Sequence, residues 1–367
     1  MNVIFDFQVF VQQYYGGISR YFIELAKAIN KGKLCKAKII TPWYINNYLS
    51  EPENKDVVIS LRNERIIKNK LYDLSDTINS LFTEWYLKYR NIDILHETYY
   101  TEKPIKNNNV KRVITVHDMI YELYPENLPN AKKVITAKKS AIDRADCIIA
   151  VSENTKNDLI NIYPCTKDKV SVIYHGVSLN EKNSMPFFKI EKPYVLFVGN
   201  RLGYKNFTSL IDVYNQNNLI SNDYLLICFG GGGFNQEELK KIEKSGLKEK
   251  VLQFNGNDAM LKSMYQSASL FVYPSIYEGF GMPVLEAMAE GCPVVCSNSS
   301  SLPEVAGDAA YYFDSNNIDS MEKAITDVLC NNEIKQGLVN KGYERVKIFT
   351  WERCADQTVK TYTQILS

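Results

Sequence analysis

Ala268-Ser-Leu-Phe-Val-Tyr-Pro274, followed closely by Glu278-Gly-Phe-Gly-Met-Pro-Val-Leu-Glu286, is the stretch that decides the fold. The first run is short, apolar and rich in aromatic and branched residues, the pattern of a buried strand. The second leads into a helix over residues 283–290. Pro283 is expected as its first residue, because its missing N–H would be unpaired there anyway. The free amides of such a helix start form a local anion site. Gly279 and Gly281 let a ligand approach the backbone. Glu278 in the loop and Glu286 about one turn into the helix offer two carboxylates for hydroxyl groups. A capped helix with Glu278 as a solvated loop acid accounts for the same residues.

Outward from this unit the chain repeats the theme. Strands are expected at 3–5, 37–40, 92–95, 113–116, 147–151 and 170–174, then at 194–198, 224–229, 251–254, 270–273 and 294–296. Helices are expected at 18–30, 131–144, 153–163, 206–215, 236–245, 258–268, 283–290 and 320–330. Such alternation predicts parallel sheets covered on both faces. A polar stretch with Pro186 and Pro193 parts the two series. The expected organisation is an N-terminal domain over 1–178, a linker or hinge over 179–193, a second domain over 194–350 and a final helix over 351–367. At 367 residues each domain can bury its own core.

The formal net charge of +1 gives no bulk attraction to nucleic acid. The eight cysteines are scattered, as expected of free thiols in a reducing cytoplasm. No second Cys/His pair answers Cys292 and Cys296, so no zinc site is expected. The N-terminal residues lack a basic leader pattern, and no apolar run approaches the ~20 residues that span a bilayer. A cytoplasmic location is the expectation. Residues 47–90 combine Arg62, Arg65, Lys68, Lys70, Lys88 and Arg90 with Phe82, Trp85, Tyr86 and Tyr89. Such a surface suits a peripheral contact with an anionic membrane leaflet. The interspersed acids Glu64, Asp73, Asp76 and Glu84 favour instead a solvated helix pair with a buried aromatic face.

In open α/β sheets ligands bind beyond the carboxyl ends of the strands, and the chemically notable residues fall at such ends. Gly16 and Gly17 open the first helix, either as a tight turn or as amides for a phosphate. His117 ends the strand 113–116, and His96 and His175 hold similar places with a more structural reading. Arg201 and Lys205 are two cations in the loop after 194–198. A diphosphate leaving group needs such charges as a glycosidic bond breaks. The run Gly230-Gly-Gly-Gly-Phe234 is no dinucleotide fingerprint, since Asn235 stands where the third glycine belongs, and no P-loop Gly-Lys-Ser/Thr follows. Asp-x-Asp and Gly-x-Ser-x-Gly motifs are absent from the sequence, so neither metal dependence nor a serine nucleophile is expected.

The pattern E-G-F-G-x-P-x-L-E-A-M-A over 278–289, continued by Gly291-Cys-Pro-Val-Val295 and Leu302-Pro-Glu-Val-Ala-Gly-Asp308, resembles the retaining glycosyltransferases of family 4. The resemblance implies a GT-B fold, two Rossmann-like parallel-sheet domains facing a cleft, with the last helix crossing back to the first domain. It implies a nucleoside diphosphate sugar as donor substrate, no cofactor, and a saccharide or lipid-linked saccharide as acceptor, in surface polysaccharide synthesis. Glu278 and His117 would act at the transferred sugar, with Phe280 and Gly281 beside it. Arg201, Lys205, Gly17 and Met282 would hold the diphosphate, and Glu286, Gly230 and Asn255 the nucleoside. A nucleotide-sugar epimerase of the same fold and a non-catalytic sugar- or nucleotide-binding scaffold are the rivals. The paired glutamates with Arg201 and Lys205 weigh against both.

Overall fold

The computed structural model describes residues 1–61, 72–107, 109–178 and 190–367. Residues 179–189 of the expected linker, and Arg62, Glu64, Arg65, Lys68 and Lys70 of the basic stretch, lie outside the described residues. The chain forms two compact units, one of residues 1–176 with 351–367 and one of residues 177–350.

The first unit is built on seven parallel strands: β1 (Asn2–Phe5), β2 (Lys36–Ile40), β3 (Val58–Ile59), β4 (Ile94–Glu97), β5 (Lys111–Val116), β6 (Cys147–Ala150) and β7 (Val170–Val172). Their order is β3-β2-β1-β4-β5-β6-β7. The central strands are buried on both faces, which is why they read as continuous apolar runs and not as alternation. The order reverses between β1 and β4, the place where an open α/β sheet opens a crevice at its carboxyl edge. Helix Trp351–Leu366 belongs to this unit. Trp351, Cys354, Ala355 and Tyr362 enter one core cluster with Phe5, Phe22 and Ile39.

The second unit holds β8 (Tyr194–Val198), β9 (Leu225–Phe229), β10 (Val251–Phe254), β11 (Leu270–Tyr273), β12 (Val294–Ser297) and β13 (Tyr311–Phe313). They pair in parallel in the order β10-β9-β8-β11-β12-β13. The reversal here lies between β8 and β11. At the start of this unit the Val177 N–H donates to the Phe349 carbonyl, 2.9 Å away.

Some expectations change. The helix after Gly281 is Met282–Ala289, so Pro283 is its second residue. The Val284 N–H already bonds back to the Gly281 carbonyl at 3.0 Å, and the missing proline N–H is harmless at either place. Edge strands β3 and β13 and helix Asn332–Val346 were not expected.

Helix Tyr72–Tyr89 buries its aromatic residues only in part, with Phe82 and Tyr86 half-buried against a core cluster that includes Leu87 and Leu95. Leu81, Trp85 and Tyr89 are 61%, 50% and 63% exposed. Its buried stripe is largely polar, through Ser75, Asn79 and Thr83, with Leu87 beyond. Asn79 explains this, because its side chain exchanges two hydrogen bonds of 2.9 Å with the backbone of Trp43. Among the described residues no helix is long and apolar enough to cross a membrane.

Candidate active site

Lys205 follows β8 and Glu278 follows β11, so the two arise on either side of the strand-order reversal in the second unit. The Lys205 ammonium donates to Glu278 Oε1 at 2.5 Å and to the Tyr273 hydroxyl at 3.0 Å. Both paired side chains are almost buried. Burial by itself would pull the Lys205 ammonium down, but the Glu278 carboxylate and the Tyr273 and Tyr204 hydroxyls outweigh it and hold it above its ordinary range. Burial, then the Glu278 charge, pushes the Tyr273 hydroxyl up. The Lys205 ammonium therefore stays charged at neutral pH.

The Glu278 loop is held from behind. Its N–H donates to Ser300 Oγ at 2.8 Å, and Ser301 Oγ donates to the Glu278 and Phe280 carbonyls at 2.8 and 3.0 Å. Gly281 has φ of +104°, and a Cβ there would lie 2.7 Å from Leu302 Cδ2. This left-handed turn sets the start of helix Met282–Ala289 directly after the Glu278 loop. Phe280 is buried edge-on against Phe349, with ring centroids 5.8 Å apart. Glu286 is half-buried within that helix.

Arg201 is fully engaged. Its Nε meets Glu238 Oε1 at 3.1 Å, and its Nη atoms donate to the carbonyls of Gly230 at 3.1 Å and of Gly232 and Gly233 at 2.9 Å each. The guanidinium also stacks over the Phe234 ring, 4.9 Å from its centroid. Gly230, Gly231 and Gly232 all have positive φ, which turns their carbonyls toward this one cation. Gln253 joins Asn255 to the same place, donating to the Gly230 carbonyl at 3.3 Å while accepting from Asn255 at 3.5 Å. Asn255 itself is exposed.

The remaining candidates lie in the first unit. Gly17 is the first residue of helix Gly17–Lys31, is exposed, and has open space where a Cβ would stand. The same helix carries Tyr21 against the His117 ring, with centroids 5.5 Å apart. His117 also stacks on His175 at 5.9 Å, and its Nε2 is buried without a hydrogen-bond partner. Burial, then the neighbouring His175, holds the His117 imidazole well below its ordinary range, so it is neutral. His96 is a core residue, with ring nitrogens 2.6 Å from the Tyr362 hydroxyl and 2.8 Å from Thr115 Oγ1.

Sequence reasoning missed the residues that hold these loops. Lys138 is wholly buried, and its ammonium donates to the Asp118 carbonyl at 2.9 Å and to Glu122 at 2.7 Å, behind the His117–Asp118 turn. Ser300, Ser301, Tyr273 and Glu238 do comparable work in the second unit. A lone lysine at an apolar helix position was the only signal for Lys138. Among the described residues no group of three or more His, Cys, Asp and Glu side chains gathers in a way that could hold a metal ion.

Comparison with known proteins gives this geometry its family. Residues 15–181 match the profile described as Glycosyltransferase Family 4, and residues 180–345 the one described as Glycosyl transferases group 1. O-antigen chain mannosyltransferase B of Escherichia coli is 30% identical over 266 residues, which are 69% of this chain and 70% of that one. The serotype-specific mannosyltransferase WbdA of Escherichia coli is 28% identical over 300 residues, 74% of this chain but 35% of the longer relative. Among solved structures, sucrose-phosphate synthase from Thermosynechococcus elongatus superposes with a TM-score of 0.75 at 20% identity, covering 99% and 98% of the two chains. Anabaena HepE, in complex with UDP and glucose, gives 0.75 at 16% identity, covering 99% and 100%. These likenesses show the GT-B fold. The chain belongs to the family 4, group 1 glycosyltransferases and is a glycosyl-transferring enzyme.

Proposed function

We propose that this enzyme moves a sugar, mannose in the first instance, from a nucleoside diphosphate sugar to a saccharide or lipid-linked saccharide acceptor during surface polysaccharide synthesis. The second unit takes the donor and the first unit takes the acceptor. The observation that carries the reading is the Lys205–Glu278 pair at the strand-order reversal, beside the amide-rich start of helix Met282–Ala289. A cation there meets the leaving diphosphate, and the neighbouring carboxylate meets the hydroxyls of the sugar. The names of the O-antigen mannosyltransferase relatives favour mannose and a polysaccharide product, and HepE with UDP and glucose favours a nucleotide-sugar donor.

In this reading Lys205 and the amides of Gly17 and Met282 hold the diphosphate, and Arg201 shapes the glycine run beside it. Glu286, Gly230 and Asn255 hold the nucleoside. Glu278 and the backbone of Phe280 and Gly281 orient the transferred sugar, and neutral His117 accepts or donates one hydrogen bond to it. The bond from the anomeric carbon to the diphosphate oxygen breaks as a bond to the acceptor oxygen forms on the same face. The acceptor proton passes to the departing diphosphate oxygen, so the configuration is retained. Cations and helix amides supply the charge stabilisation, without a metal. The enzyme works in the cytoplasm, with peripheral contact to the inner face of the membrane.

The test is a thermal-shift screen with UDP, GDP and ADP and their sugars. A site filled to ~100 times its Kd adds roughly 2.7 kcal/mol. One base series should stabilise the protein, and Glu286→Ala should remove the shift. Indifference to all three nucleotides, in folded protein, would count against the donor site.

A further inference from the structure

Helix Leu302–Ala306 starts directly after Ser301, the serine whose hydroxyl holds the Glu278 and Phe280 carbonyls. Its first residue, Leu302, lies over Gly281. A helix of five residues has too few internal bonds to hold itself. Its last carbonyls need donors, and Arg345 supplies them. The Arg345 Nε donates to the Val305 carbonyl at 2.9 Å, and an Nη donates to the Glu304 carbonyl. A cation at a helix C-terminus also suits the helix dipole. Gly307 ends that helix with φ of +59°, and a Cβ there would lie 3.1 Å from Arg345 Cζ. The glycine makes room for the guanidinium.

Arg345 reaches the same loop by a second path. It stands in the last turn of helix Asn332–Val346, and Phe349 follows four residues later. The Ile348 N–H donates back to the Arg345 carbonyl at 3.2 Å and the Phe349 N–H to the Val346 carbonyl at 3.0 Å. The chain therefore stays wound past the helix end, and both side chains leave on one face. The guanidinium lies over the Phe349 ring, 5.2 Å from its centroid. That ring is 2% exposed and is the one that meets Phe280 edge-on. The Val177 N–H pins the Phe349 backbone through its carbonyl. The 278–281 loop is thus held at its carbonyls by Ser301 and at the Phe280 ring by Phe349, and Arg345 anchors both supports.

We propose that Arg345 and Phe349 are positioning residues for sugar transfer. Both pack on protein atoms behind the loop and act through it. The Lys205 ammonium fixes the carboxylate end of Glu278, and Arg345 with Phe349 fixes the backbone that carries it. Two supports on one loop matter because oriented reactions tolerate little error. A displacement of about 1 Å can cost ~10²-fold in rate, even when the substituted residue lies away from the chemistry. The inference rests on the reading that Glu278 and the Phe280 and Gly281 backbone orient the transferred sugar.

The experiment follows acceptor-free hydrolysis of GDP-mannose, UDP-glucose and ADP-glucose by the full chain, at a temperature where every variant is folded by circular dichroism. On the donor that wild type hydrolyses, Arg345→Met and Phe349→Leu should each lower kcat about tenfold and change KM less than about twofold. Arg345→Lys returns a cation to the helix end but not the planar stack on Phe349, and should recover part of the loss. Phe349→Leu combined with Phe280→Leu should be no slower than the slower single variant, because both act through one contact. Wild-type kcat in folded Arg345→Met and Phe349→Leu, whatever their melting temperatures, makes both residues structural and overturns the proposal. Should no donor be hydrolysed, amide hydrogen exchange decides. Faster exchange at residues 278–282 in Arg345→Met supports the proposal, and wild-type exchange there overturns it. Glu278→Gln, measured alongside, separates the two claims. A normal Glu278→Gln with a slowed Arg345→Met overturns the role given to that carboxylate and leaves the support of the Phe280 and Gly281 backbone standing. A slowed Glu278→Gln with normal Arg345→Met and Phe349→Leu overturns this inference alone.

Discussion

Lys205 Nζ lies 2.5 Å from Glu278 Oε1, although 73 residues separate them. Removing one partner of a buried pair leaves an uncompensated charge, which costs about 3–5 kcal/mol. These side chains retain 10% and 12% exposure, so the lower end is expected here. Lys205→Met should destabilise the protein by about 3 kcal/mol and abolish transfer. Lys205→Met combined with Glu278→Leu should recover most of the stability but none of the activity. Urea denaturation of the two single variants and the double variant reads the coupling, and additive losses would show that the pair does not act as a unit.

Two glycines in the candidate site should respond in opposite ways to alanine. Gly281→Ala meets both a φ of +104° and the Leu302 side chain at 2.7 Å, and should cost about 1–3 kcal/mol. Gly17→Ala meets open space in the first turn of a helix and should stabilise by about 0.4–1 kcal/mol. If Gly17 serves only its turn, activity survives the substitution. If its backbone approaches the diphosphate, the donor KM rises while the melting temperature does not fall. Melting curves with donor titrations separate the two.

The buried histidines set an acid limit on stability. Burial lowers His96 and His175 to about 3. Between that value and the unfolded value near 6.5 the unfolded chain binds more protons, so this stability is full above about pH 6.5 and is lost as pH falls. At pH 5 each histidine contributes a loss of about 2 kcal/mol. His117 adds a loss of the same sign. Asp6 opposes them, because burial and then Glu97 raise it to about 6, and its buried charge is relieved as pH drops through that value. That returns roughly 1.4 kcal/mol at pH 5. Net destabilisation of at least about 2 kcal/mol is expected between pH 7.5 and pH 5, measured by urea midpoints. A flat profile would mean that these rings are hydrated in solution.

What could be read from sequence follows from how each element is buried. Strands such as β8 and β11 are covered on both faces, so their apolar runs are continuous and unmistakable. The two-residue β3 and three-residue β13 lie at sheet edges and carry too little pattern to register. Trp85 and Tyr89 suggested a buried face on a helix whose inward stripe is instead chosen by Asn79, through a backbone contact with Trp43 that no periodicity encodes. The loops bearing Glu278, Lys205 and Arg201 were legible from glycine placement and charge. Their mutual pairings were not, because a parallel sheet brings together loops from distant strands in an order the local sequence does not carry.

Arg201 poses a sharper question than the loss of a charge. Its fork spans the carbonyls of Gly230, Gly232 and Gly233 while its Nε meets Glu238. A lysine keeps the positive charge but cannot reproduce a planar, multidentate contact. If Arg201 contributes only charge toward a diphosphate, Arg201→Lys retains most of the nucleotide affinity. If it shapes the glycine run, that run loses its shared anchor, nucleotide binding weakens about tenfold or more, and the core of the unit stays folded. The structure favours the second outcome, because the guanidinium is already saturated by protein oxygens. Calorimetric titration with the stabilising nucleoside diphosphate gives the affinity, and hydrogen exchange at residues 230–233 reports the loop. Faster exchange with weakened binding supports loop shaping, whereas unchanged exchange with near-native affinity assigns Arg201 to charge alone.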